Sequence, residues 1–140
     1  MKTKAIALLL MMIGLAVGVT KGQSTEPLTF RTPFAFVIGD QLLPAGEYTI
    51  RVVSLTGTLS VRSADGTAHV FINSRPLQKL DTESRFKLVF HRYGVRYYAS
   101  EIWTPGYRTG RSIMQCPSEW ELAKSSAPQH VILYADARRF

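Results

Sequence analysis

The segment from Arg85 to Gly106 sets the tightest limit on what this chain can fold into. Phe86-Lys87-Leu88-Val89-Phe90-His91 and Arg96-Tyr97-Tyr98-Ala99-Ser100-Glu101-Ile102-Trp103 are two runs rich in aromatic and aliphatic side chains. Arg92-Tyr93-Gly94-Val95 separates them and Thr104-Pro105-Gly106 closes the pair. Such runs favour extended backbone and the glycine favours a tight reversal, so the segment predicts a β-hairpin. With Tyr93-Gly94 at the tip, Phe90 falls opposite Tyr97 and Leu88 opposite Ala99, while Phe86 and Trp103 extend the same apolar side. The other face then holds Lys87, Val89 and His91 beside Arg96, Tyr98 and Ser100, with Ile102 following. Its mixture of basic, aromatic and apolar groups matches neither a plain core nor a plain solvent surface.

The rest of the chain repeats this extended pattern. Thr58 to Ser63 and Thr67 to Asn73 flank Ala64-Asp65-Gly66, a strong local hairpin signal. A turn at Asp65-Gly66 sets Val61 opposite Val70, Leu59 opposite Ile72 and Arg62 opposite His69, so apolar residues match across one face. Leu28 to Ile38 reads as extended, with Pro33 forcing an edge position or a break because it cannot donate to a ladder. Gly39-Asp40-Gln41 and Leu43-Pro44-Ala45-Gly46-Glu47 are reversals, and Tyr48 to Val53 alternates as a half-buried strand. Arg75-Pro76 is expected to end the second hairpin, leaving residues 77–84 as a polar loop and the stretch after Gly106 as irregular. Ser118 and Glu121 have capping-box spacing and predict a short helix, and His130 to Ala135 predicts a last strand. Seven or eight short strands, one short helix near the C-terminus and no helix-strand alternation define an all-β chain, a small antiparallel barrel or sandwich.

Lys2 and Lys4, the uncharged apolar run Ala5 to Val19, and the small residues of Thr20-Lys21-Gly22 have the layout of a secretory signal peptide. The run is shorter than the span of about 20 residues that crosses a bilayer. Residues 1–22 are therefore expected to be a leader cleaved after Gly22, with Gly18 the alternative. Residues 23–140 form one mature β domain, periplasmic or secreted. Loss of Lys2, Lys4 and Lys21 lowers the formal charge from +7 to +4, and the remaining basic residues form no run that would track a nucleic-acid backbone. Cys116 is the single cysteine, so it is either a free thiol or a bridge between two chains.

Pro33-Phe34-Ala35-Phe36-Val37-Ile38-Gly39, Leu43-Pro44-Ala45-Gly46-Glu47-Tyr48-Thr49, Leu88-Val89-Phe90-His91-Arg92-Tyr93-Gly94 and Glu101-Ile102-Trp103-Thr104-Pro105-Gly106 resemble segments of a set of short exported proteins predicted in acidobacterial genomes. The resemblance covers most of the mature chain. It implies a Gram-negative-type envelope and carries over no functional residue.

Motifs for chemistry are sparse. His69, His91 and His130 lack the spacing of known zinc sites, no G-x-S-x-G elbow occurs, and Gly106 to Gly110 lacks the Lys-Ser or Lys-Thr of a phosphate loop. Glu119 and Glu121 are accounted for by capping. Glu101 falls on the apolar side of the hairpin, where a lone carboxylate is costly. It therefore pairs with an arginine or solvent at the core edge, or faces a ligand in a barrel mouth. On the mixed face, Arg96 suits an anionic group and Tyr98 a planar or sugar surface. His91, Arg96, Tyr98, Glu101 and Trp103 are thus the candidate ligand-binding residues, with no catalytic, metal or cofactor site assigned. The expected function is a non-catalytic exported domain binding an envelope ligand or partner. The alternatives are a hydrolase using Glu101 and His91, or a small outer-membrane barrel ending in Phe140.

Overall fold

A computed structural model describes residues 27–135. The expected leader at residues 1–22, both cleavage positions and Phe140 lie outside the described residues. Ten strands and one helix follow in order: β1 Leu28–Thr32, β2 Phe36–Ile38, β3 Gln41–Leu43, β4 Gly46–Val52, β5 Thr58–Ser63, β6 His69–Gln78, β7 Phe86–Tyr93, β8 Arg96–Trp103, β9 Thr109–Ile113, α1 Pro117–Ser125 and β10 Gln129–Ala135. The chain is mostly β, with more strands than the seven or eight expected. β1, β4, β5, β6, β9 and β8 are successive neighbours; β8 then pairs with β7 and β7 with β10. The beginning of β8 also takes β2, which carries β3. The β2–β8 contact at Val37 and Tyr98 is parallel, so the sheet is mixed and not purely antiparallel. β1 and β10 approach within 8 Å between Cα atoms, yet no ladder joins them and the sheet stays open.

Strand alternation places the core. Phe30, Phe36, Ile38, Tyr48, Leu59, Val61, Phe86, Leu88 and Phe90 are all within 3 % of complete burial and pack as one cluster on one side of the sheet. Phe36 meets Phe30, Tyr48 and Phe90 edge-on, the arrangement aromatic quadrupoles favour. Pro33 separates β1 from β2, as its missing donor requires. Pro76 does not end β6, however. The strand pairs with β5 over His69–Asn73 and with β9 over Ser74–Gln78, and the second half has lost its β5 neighbour. A strand with one open edge is where proline is tolerated in a sheet.

The predicted register of the β5–β6 hairpin holds, with Val61 opposite Val70, Leu59 opposite Ile72 and Arg62 opposite His69. Its turn is held by Asp65, whose Oδ1 accepts from the Thr67 amide at 3.0 Å and from the Ser63 and Thr67 hydroxyls at 2.7 Å each. These bonds, the Thr67 amide first, lower the carboxyl from its usual 3.8 to about 2. A depressed native pKa adds stability that is full above about 3.8 and vanishes as pH falls through about 2. Carbon-detected NMR titration is expected to place the Asp65 midpoint near 2, and the Asp65→Asn variant to lose this acid-dependent part of its stability. A midpoint near 3.8 would contradict the turn geometry.

The outward side of β1, β4, β5 and β6 is a polar grid. Thr29, Thr49, Arg62 and His69 form one row across the four strands. Arg51, Ser60 and Phe71 form the next, and Thr58 and Asn73 a third. Arg31 meets Glu47 at 3.3 Å on the flank, and Arg75 continues the outward positions of β6. Hydrogen bonds knit the grid: Thr29 to Thr49 at 3.3 Å and Ser60 to His69 at 2.7 Å.

Candidate functional site

The hairpin of β7 and β8 forms, but its register differs from the expected one. Tyr93 pairs with Arg96, so Gly94 and Val95 make the tip, with Gly94 at a positive φ of 62°. Phe90 therefore faces Ala99 and not Tyr97. A two-residue shift preserves the faces. A bulge then follows: Phe90 pairs with Ala99 but Val89 with Glu101, leaving Ser100 as the extra residue. One inserted residue exchanges the faces beyond it. Ile102, and not Glu101 or Trp103, joins the core, and Glu101 and Trp103 turn to the outward side with Val89 and Lys87.

Glu101 thus lies half-exposed on the outward side, where it meets solvent and not an arginine. Its Oε2 accepts the Trp103 indole N–H at 2.8 Å. Trp103 is only 2 % exposed, covered by the β6–β7 loop, whose Lys79 ammonium sits 4.0 Å above the ring. Lys79 and Lys87 both reach Glu83, at 2.8 and 3.1 Å, and these hydrogen bonds hold its carboxyl below the usual value. Arg96 stands exposed beside the hairpin tip, apart from Glu101 and Trp103.

His91 and Tyr98 lie opposite each other, beneath helix α1. The helix does not start with the expected capping box. Pro117 occupies its first position, as suits a residue without an N–H, and Cys116 is the N-cap, its side chain capping no backbone amide of the helix. Ser118 is instead 3.3 Å from the Tyr98 hydroxyl and 3.1 Å from the buried, free Cys116 thiol. Glu121 pairs with Lys124 at 2.9 Å. Glu119, 3 % exposed, enters the sheet side: its Oε1 lies 2.8 Å from His91 Nδ1 and accepts from the Tyr93 hydroxyl at 3.3 Å. Burial first, then the Glu119 charge, pushes the Tyr93 phenol up. On the other side of the imidazole, Nε2 lies 3.1 Å from Ser100 Oγ, and His130 packs edge-on at 5.0 Å.

An ionised carboxylate can only accept, so with Glu119 in that form His91 Nδ1 donates to it, and in the neutral tautomer that this defines, Nε2 is free to accept from Ser100. The bulge matters here, because it is the inserted residue whose hydroxyl reaches the ring. Sequence reasoning singled out His91 and Tyr98 but missed Glu119, Tyr93 and Ser100. The Glu119 signal was present as an acidic residue in a helix's first turn, where capping offered a sufficient explanation. Among the described residues, no group of three or more His, Cys, Asp or Glu side chains is arranged to hold a metal ion.

No family model, curated protein or solved structure matches the chain. The reading of its role therefore rests on its own residues.

Proposed function

We propose that this chain is an exported, non-catalytic β domain that binds a ligand or partner in the cell envelope, in the periplasm or outside the cell. The basic, apolar and small-residue layout of residues 1–22 supports export. The resemblance to short exported acidobacterial proteins points the same way. In this reading β1 and β10 are the lips of a small barrel whose inside is solid. The observation that carries the binding mode is the pairing of that filled core with an open outer face. Phe36, Phe86 and Phe90 are fully buried and fill the core, whereas the polar grid of β1, β4, β5 and β6 carries no covering element among the described residues. The same outward arginines and threonines are unlike the apolar belt of an outer-membrane barrel, which supports the non-membrane reading. Native mass spectrometry of protein purified gently from its own envelope fraction is expected to show a retained mass that leaves on denaturation. A bare chain that also binds nothing on a glycan, lipid and protein panel would overturn the reading.

A second reading is favoured by one set of distances. Ser100, His91 and Glu119 have the connectivity of nucleophile, general base and orienting carboxylate. They replace the Glu101 and His91 pair as the basis for a hydrolase. In an acyl transfer Ser100 Oγ would bond to the acyl carbon and its proton would pass through His91 to the leaving group. Water would then release the acid. This reading requires a fluorophosphonate probe to label the wild-type protein and not Ser100→Ala. A wild-type protein that stays unlabelled and cleaves no ester removes it.

A further inference from the structure

We propose that the outward face of β1, β4, β5 and β6 is a binding site for an acidic polysaccharide. This rests on the reading above that the domain binds an envelope ligand, and it names the ligand's class. Arg31, Arg51, Arg62 and Arg75 are scattered over 45 positions of sequence, yet each falls at an outward, exposed position of a strand in this part of the sheet. Arg51 lies opposite Ser60 and Arg62 opposite Thr49, so the two guanidinium groups start from diagonal neighbours, about 7–8 Å apart at their Cα atoms. Glu47, bound to Arg31, is the sole acidic residue among the outward positions of these strands. Among the described residues Arg51, Arg62 and Arg75 have no ion-pair partner. A concentration of unneutralised arginines raises the local density of anions and offers planar, bidentate donors to carboxylates.

The groups between the arginines narrow the class. Phe71 is 62 % exposed beside the Arg51–Ser60 row and packs its ring 4.6 Å from His69, giving a flat apolar platform for the face of a sugar ring. Ser60, Thr49, Thr58, Asn73 and His69 supply hydroxyl, amide and imidazole groups at the same level. A membrane-binding face needs a broad apolar surface to sink into the headgroup region, and here Phe71 is the one large exposed apolar side chain within the strands of the grid, with Val53 and Leu55 confined to its edge at the β4–β5 turn. An extended polymer bearing carboxylates and ring faces fits both features, the positive charge and the aromatic platform.

The test measures retardation of the mature chain, residues 23–140, in gels containing polygalacturonate, hyaluronate or neutral dextran, and its co-sedimentation with phosphatidylglycerol vesicles. Retardation by a carboxylated polymer and not by dextran is expected. Arg51→Gln/Arg62→Gln should weaken it by about tenfold or more, since two charge-assisted contacts are lost together. Phe71→Ala should weaken it several-fold by an amount that changes little with salt. Arg108→Gln/Lys124→Gln removes the same charge elsewhere and should leave binding unchanged. If that control weakens binding as much as the face variant, or if neither carboxylated polymer binds, the proposal is overturned. Binding to the vesicles alone would overturn it while leaving the envelope-ligand reading intact. A bare chain with no partner on any panel would overturn both.

Discussion

Replacing Glu119 with alanine is expected to destabilise the domain by about 3 kcal/mol and to release helix α1 from the sheet. The magnitude follows from how this helix is attached. Glu119 is the one residue of α1 that is fully buried, Leu122 is half-buried, and Trp120 is exposed. A surface helix usually docks by an apolar stripe; this one docks by a carboxylate. Truncation leaves His91 Nδ1 and the Tyr93 hydroxyl without their acceptor and opens a void where the side chain stood. Glu119→Gln keeps an acceptor oxygen of nearly the same shape, so it should cost about 1 kcal/mol. Urea denaturation gives the two losses, and amide exchange over residues 117–125 reports whether the helix opens before the sheet. An alanine variant within about 0.5 kcal/mol of wild type, a typical surface effect, would show that the network does not hold the helix.

Gly110→Ala should be comparably damaging, by about 3 kcal/mol, although glycine and alanine differ by one methyl group. A Cβ at position 110 would stand 2.5 and 2.6 Å from two carbons of the Trp103 ring and 2.8 Å from the Ile102 carbonyl oxygen. The carbonyl belongs to the β8 backbone, which pairs with β9. The indole has little freedom to retreat: Lys79 lies over its ring and its N–H is bound to Glu101. Relief therefore requires β9 to move away from β8 or the tryptophan to leave its place. Thermal unfolding measures the cost. Combining Gly110→Ala with Trp103→Leu should be less destabilising than the sum of the two changes, because the smaller side chain removes the collision. Strict additivity, or a Gly110→Ala protein as stable as wild type, would contradict the packing.

These two sites show where sequence reasoning reached and where it stopped. The β5–β6 register was legible because Asp65-Gly66 and the matched valines act over a few residues. The β7–β8 hairpin was equally legible as an element, but its faces were not. Ser100 carries no mark of a bulge, and one inserted residue is enough to exchange Glu101 and Trp103 with Ile102. β9 was missed because Thr109–Ile113 has little strand character alone and becomes a strand by pairing with β6 and β8. The outward arginines had readable parity within each strand. Their gathering depends on β1, β4, β5 and β6 being neighbours, which local pattern does not specify. Glu119 stayed hidden for a different reason: its partners His91 and Tyr93 lie 28 and 26 residues earlier in the chain.

The ten-residue strand β6 carries a consequence for how the chain reaches this state. Its first half closes against β5 across a short turn, a contact that costs little loop entropy and can form early. Its second half waits for β9, more than thirty residues further on. The same strand therefore belongs to a fast local step and a slow distant one. Once both are made, neither half of the sheet can melt without tearing a strand that the other half holds, and local fluctuation is converted into a single all-or-none transition.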